Sequence, residues 1–133
     1  MARRHLAIFL RGVAEKILSG EKIVEVRLSQ NRILPYNSVS KDDIIFLKNS
    51  GGKIIGRVVV DNCLYYDNIN KVIFEKIKNQ YQEAAKIDES FWTLRKKAKF
   101  ATIIFLKNPK KFLTEVIYKK KDRRAWVIIE EEK

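Results

Sequence analysis

The chain has 133 residues, of which 46% are aliphatic, aromatic or cysteine, so it is the size of one domain and apolar enough to bury a core despite its 33% charged content. Its 28 lysines and arginines against 16 acids leave a net charge of +12, a field that gathers polyanions. No apolar run approaches the roughly 18 residues of a membrane span, Met1-Ala2-Arg3-Arg4-His5 opens no secretion signal, and a single cysteine and a single histidine set aside an internal disulfide and a Cys/His zinc site. The expectation is a soluble, cytoplasmic monomer with no membrane, metal or cofactor.

His5 to Leu10 reads as a buried first strand flanked by Arg3, Arg4 and Arg11. Val13, Ala14, Ile17 and Leu18 fall at helical spacing, and Gly20 ends that helix. Arg11 and Gly12 occupy the turn before it, which a short helix returns to the end of the sheet where the next strand begins. In Gly20-Glu21-Lys22-Ile23-Val24-Glu25-Val26-Arg27 the alternation puts Glu25 and Arg27 on one face and Val24 and Val26 on the other, with Lys22 at the start of the strand.

Leu28 to Asn37 is a polar connection whose Ser29, Gln30, Asn31 and Arg32 suit a base edge or phosphate, or equally an ordinary surface loop. Ser40-Lys41-Asp42-Asp43 precedes a strand at Ile44 to Leu47, and Asn49-Ser50-Gly51-Gly52 signals a hairpin into a central strand from Lys53 to Asp61. Cys63 reads as a buried, apolar thiol. A helical period runs from Asn70 to Lys86, and Asp88 caps a second helix that turns Phe91, Trp92 and Leu94 inward. Phe100 to Leu106 is a buried strand that Asn108-Pro109 breaks. Thr114 to Tyr118 and Ala125 to Ile129 are further strands, and Glu130 to Glu132 form an acidic tail against nearby lysines.

The basic excess is uneven. Lys107 to Arg124 holds eight basic and two acidic residues, including Lys110, Lys111, Arg123 and Arg124, with Phe112 and Tyr118 interleaved. That pattern suits a surface that holds a phosphate backbone and stacks a base, or a solvated lysine-rich face.

A carboxylate between two cations on one strand admits two readings. Glu25 pairs with Lys22 or Arg27 in a polar plug at one end of a barrel, or the three line a cleft. There Arg27 would fork onto a phosphate or base edge, with Lys22 adding charge and Glu25 fixing both or accepting from a base amino group.

The spacing Gly20-x-Lys22-x-x-Glu25-x-Arg27 resembles the signature of the ASCH domain, within the PUA-like superfamily, and the likeness extends from His5 through Val60 and on to Trp126. It implies an α+β domain built around a mostly antiparallel, PUA-like β-barrel with two or three helices. PUA domains bind RNA, so it also implies an RNA- or nucleotide-binding module whose motif residues line a cleft beside the barrel. The candidate contacts are Lys22, Glu25 and Arg27 at the centre, Arg11 at the entrance, Ser29 and Arg32 in the adjoining loop, and Lys110, Lys111, Tyr118, Arg123 and Arg124 as support.

One branch of that family deacetylates acetylcytidine, with the motif lysine as base and a threonine nucleophile where this chain has Glu25. Lys22 carries over and the nucleophile does not, so an amidohydrolase acting through Lys22 and Glu25 is the alternative. Glu83 and Glu89 are the nearest candidates for that branch's further glutamate, though neither aligns with it. Metal-assisted nuclease chemistry, reported for some relatives, wants clustered carboxylates, and the motif offers one. A third reading is an adaptor whose basic surface meets an acidic protein. There is no phosphate-cradling Gly-rich loop, no Gly-x-Ser-x-Gly elbow and no Cys-x-x-Cys, and a lone histidine in a terminal strand argues against a histidine triad.

Overall fold

Runs of β-branched and aromatic residues lay down six strands: β1 (Arg4–Phe9), β2 (Val24–Ser29), β3 (Ile44–Asn49), β4 (Ile54–Tyr66), β5 (Phe100–Val116) and β6 (Trp126–Ile129). Three helices join them: α1 (Val13–Leu18), α2 (Lys71–Tyr81) and α3 (Glu89–Leu94). The computed structural model describes residues 2–119 and 122–129. Lys120, Lys121 and the acidic run Glu130 to Glu132 lie outside the described residues.

The strands form one sheet in the order β2-β5-β4-β3-β1-β6, antiparallel throughout except for the parallel pair β1 and β3. It curls into a half-barrel, the mostly antiparallel α+β architecture expected of a PUA-like domain. Alternation sorts the two faces. Ala7, Phe9, Ile45, Leu47, Val58, Val60, Ile104 and Trp126 pack together with Ala14 and Ile17 of α1. On the other face Val24, Val26, Ala101 and Ile103 are covered by Phe74, Ile77 and Tyr81 of α2 and Trp92 of α3. Asn70 caps α2 by accepting from the Ile73 amide at 2.8 Å, and Asp88 caps α3 by accepting from the Phe91 amide at 3.3 Å.

Several elements depart from the sequence expectation. β5 is not broken at Asn108-Pro109 but runs on to Val116. The register passes from Val59 opposite Lys107 to Arg57 opposite Lys110, and this extra residue, with Asn108 at φ 52°, makes a bulge that accommodates the proline's missing donor. Only Thr114 to Val116 of the separate strand expected up to Tyr118 is extended, as the end of β5. β4 continues past Asp61 to Tyr66 because Leu64 and Tyr66 still have the α2 cluster to pack against. β1 ends at Phe9, α2 ends at Tyr81 and gives way to turns, and Leu94 points to solvent because α3 is a helix of six residues whose inward side Phe91 and Trp92 already occupy.

At Gly56 the second half of the β4–β5 ribbon passes beneath α1. A Cβ there would stand 2.6 Å from the Lys110 carbonyl oxygen and 2.7 Å from a Leu18 methyl, so even one methyl forces the backbone apart. Gly56→Ala is therefore expected to destabilise the protein by about 1–3 kcal/mol in urea denaturation. An unchanged midpoint would show that the ribbon is free to shift.

Candidate functional site

Gly20, at φ +86°, stops α1, and the Lys22 amide then donates to the Lys16 carbonyl at 3.0 Å, which sets Lys22 at the foot of β2. Among the described residues β2 is paired on one side only, with β5. Glu25 and Arg27 stand opposite Ile104 and Thr102, on the face turned away from the α2 cluster. Lys22 Nζ meets Glu25 Oε1 at 3.0 Å and donates to the Ala85 carbonyl at 2.5 Å, while Arg27 Nε donates to Glu25 Oε2 at 2.7 Å. Beyond the carboxylate, Arg27 Nη2 donates to the Ile8 carbonyl at 3.2 Å, and the guanidinium lies 5.0 Å from the Phe9 ring centre and 5.2 Å from that of Trp126. Since β2 and β6 are the two ends of the sheet, this one side chain spans the open seam of the half-barrel.

The three motif residues are not equally accessible. Lys22 is 4% exposed and Glu25 7%, whereas the Arg27 side chain keeps 19% of its surface, and its Nη1 makes no hydrogen bond among the described residues. Burial pushes the Glu25 carboxyl up, but the charges of Arg27 and then Lys22 outweigh it and hold the group below the usual carboxylate range. The motif is thus a sealed ion pair, Lys22 with Glu25, carrying a partly open guanidinium.

Beneath Arg27 lies a second polar chain. Trp126 Nε1 donates to His5 Nδ1 at 3.0 Å, and His5 Nε2 stands 2.8 Å from Asp43 Oδ2. An indole N–H only donates, so Nδ1 must accept, which assigns the proton to Nε2 and makes His5 a neutral donor to Asp43. Asp43 also accepts from the Arg3 and Ser40 amides at 2.9 and 3.0 Å. Burial lowers the His5 pKa against the opposing pull of Asp43. Both imidazole nitrogens are engaged, Nδ1 with Trp126 and Nε2 with Asp43, so this is a support and not a triad. Cys63 is half-buried, and burial pushes its thiol up to about 11, in keeping with an inert role.

Other sequence candidates scatter. Arg11 and Lys111 are exposed and line, with Lys53, Glu15 and Glu115, a groove of about 430 Å³ between α1, the β3–β4 turn and β5, and no motif residue borders it. Lys110 is exposed opposite Arg57, roughly 26 Å along β5 from Thr102. Lys107 is paired to Asp42 at 3.3 Å and reaches Asp61 at 3.8 Å. Arg123 and Arg124 are exposed just before Trp126, Arg124 holding Asp122 at 2.9 Å, and Tyr118 is half-buried past the end of β5. Ser29 Oγ donates to the Asn31 carbonyl at 2.7 Å, within its own turn. Arg32 is exposed, with its guanidinium 5.9 Å from the Tyr36 ring centre and 5.4 Å from that of Phe100.

The structure adds a group that the weight of the Lys107 to Arg124 stretch conceals. Arg95-Lys96-Lys97-Ala98-Lys99 forms the turn between α3 and β5, and the Lys99 amide donates to the Ser29 carbonyl at 2.8 Å, hitching the turn to the end of β2. Arg95 lies 4.0 Å over the Phe91 ring and donates from Nη1 to the Phe91 carbonyl at 3.1 Å. Its pKa is lowered by burial first and then by the positive charge of Arg27, against the pull of Glu25, so it shares the field of the motif pair. None of its four cations is ion-paired among the described residues. Four basic residues in five positions is a signal visible in the sequence. Among the described residues no group of three or more His, Cys, Asp or Glu is placed to hold a metal ion, and no helix is long and apolar enough to cross a membrane.

A family model described as the ASCH domain matches residues 12–129. In fold the chain is similar to the ASCH protein of Zymomonas mobilis, with a TM-score of 0.76 at 14% identity over 97% of this chain and 89% of that one. A serine-to-alanine variant of the same protein gives 0.77 at 15% identity with the same coverage. Protein EF3133 of Enterococcus faecalis gives 0.61 at 6% identity, over 89% of this chain and 88% of that one. No curated protein matches the sequence.

Glu25→Ala would leave the Lys22 ammonium buried without its counter-charge, and is expected to cost about 3–5 kcal/mol of stability, most of it recovered by Lys22→Met in the same chain. A loss below about 1 kcal/mol in urea denaturation would contradict the sealed pair. For His5 the folded pKa lies below its ordinary value of 6.5, so the unfolded chain takes up the proton first. Stability should therefore fall as pH drops below 6.5 toward the folded value, while His5→Gln should flatten the curve between about pH 7.5 and about pH 5.5. Parallel curves for the two proteins would refute the neutral, buried imidazole.

Proposed function

Because the chain belongs to the ASCH domain family, we propose that it is an RNA-binding module whose seam holds the ligand, with Arg27 as the group that meets it and Lys22 and Glu25 as the pair that holds Arg27 in place. The observation that carries this reading is the division of labour within the motif. Two nitrogens of the Arg27 guanidinium are spent on Glu25 and the Ile8 carbonyl, the Phe9 and Trp126 rings lie 5.0 and 5.2 Å away, and Nη1 makes no hydrogen bond among the described residues on a side chain that stays 19% exposed. A guanidinium fixed in advance loses little freedom on meeting a phosphate oxygen or a base acceptor, which is what makes a charge-assisted contact selective.

The family's PUA-like character supports an RNA- or nucleotide-associated role, and the net charge of +12 supplies the long-range attraction. Arg32, Ser29, Arg123, Arg124 and Tyr118 are the flanking candidates, and Arg11, Lys110 and Lys111 act at a distance. Hydrolysis through Lys22 has less support. A lysine base must be within reach of a substrate, and the Lys22 ammonium is 4% exposed and enclosed between the Glu25 carboxylate and the Ala85 carbonyl. The threonine of the deacetylating branch is replaced by Glu25, both of whose oxygens are occupied by cations.

The test compares Arg27→Ala with Lys110→Ala against a fluorescent RNA, with denaturation curves as a control for folding. Arg27→Ala is expected to weaken binding by about 1–3 kcal/mol and to lower the magnitude of the salt slope by roughly one unit, while Lys110→Ala changes affinity by a few tenths of a kcal/mol. Equal losses would mean that bulk charge alone is at work and would overturn the site.

A further inference from the structure

Resting on that RNA reading, we infer that the rim beside Arg27 is a track for unpaired bases: the outward guanidinium faces of Arg95, backed by Phe91, and of Arg32, backed by Phe100 and Tyr36, are stacking platforms, so the ligand is single-stranded.

Each platform is built in advance. The Arg95 guanidinium stands 4.0 Å over the Phe91 ring and is pinned by the bond from Nη1 to the Phe91 carbonyl, on a residue that is itself exposed. Arg32 lies within 6 Å of two rings that are themselves in edge contact, Tyr36 and Phe100 at 5.0 Å. A guanidinium plane so held offers a base the same flat, polarisable surface as an aromatic ring, and apart from Arg95 Nη1 the N–H groups of the two arginines make no hydrogen bond among the described residues and are available to the adjoining phosphate.

Both platforms are tied to the end of β2 that carries Arg27. The Lys99 amide on the Ser29 carbonyl anchors the Arg95 turn there, and Phe100, one of the rings behind Arg32, is the register partner of Ser29. Neither arginine is ion-paired among the described residues, and Arg95 feels the positive charge of Arg27 more than the pull of Glu25, a repulsion that a bound phosphate would relieve. A double helix keeps its base faces stacked within itself and presents only edges and backbone. It could satisfy the charges but not the planes.

The test uses one unstructured RNA of about a dozen nucleotides as a single strand, as a perfect duplex and as an abasic strand of equal charge, against the whole protein and the variants Arg95→Lys, Arg95→Ala, Arg32→Ala and Arg27→Ala. The expected result is that the intact protein prefers the single strand to the duplex and to the abasic strand by roughly 10-fold or more. Arg95→Lys, which keeps the charge and loses the plane, should fall about 5- to 100-fold on the normal strand and stay near the wild type on the abasic one. Arg95→Lys matching the wild type on the normal strand, or equal binding of duplex or abasic RNA, would overturn the track. If Arg27→Ala still abolished binding in that case, the seam would stand as the RNA site without it. An intact protein that held no RNA in any form would remove both readings.

Discussion

Everything at the seam depends on one carboxylate with a cation on either oxygen. Glu25 draws Lys22 inward and Arg27 sideways at once, and a buried anion shared between two cations keeps its charge where an isolated one would be protonated. The arrangement fixes more than electrostatics. With Nε committed to Glu25, the Arg27 plane has little choice but to lie over Phe9 and Trp126 and to reach the Ile8 carbonyl, so an ion pair on an edge strand becomes the closure of a sheet that its hydrogen-bonded strands leave open.

The support for that closure is layered. Trp126 is both the wall behind Arg27 and the donor to His5, and His5 in turn rests on an Asp43 held by two backbone amides. A chain of polar contacts therefore runs through the barrel interior from Asp43 to the Ala85 carbonyl, with a cation over an aromatic ring as its middle link. Such chains are costly when one member is missing and rigid when all are present. The rigidity of Arg27 is supplied here by buried residues behind it, Trp126, His5 and Asp43.

How much of this is legible beforehand depends on the range of the interaction. Strict alternation separates Glu25 and Arg27 from Val24 and Val26, and Gly20, Asp88 and Asn49-Ser50-Gly51-Gly52 mark their turns and caps by local chemistry. The partner of Lys22 is a different matter: a backbone carbonyl 63 residues away has no side-chain signature. His5, Asp43 and Trp126 are each unremarkable in their own segments and acquire meaning only when β1, β3 and β6 lie side by side. Pro109 misleads because the rule that proline ends a strand has an exception at bulges, and the exception depends on the register of β4. The Arg95 to Lys99 turn is the one feature readable from composition that a longer, more basic run overshadows.

The pairing of Trp126 with His5 joins residues 121 positions apart. Closing a loop of that span costs chain entropy that local contacts do not, and the pairing of β6 with β1 has to offset it. The β2–β5 pair and the Lys22–Glu25 bridge involve no residue of β6, but without β6 Arg27 would have no indole to rest on. In this molecule the seat of the Arg27 guanidinium is complete only once β6 has joined the sheet.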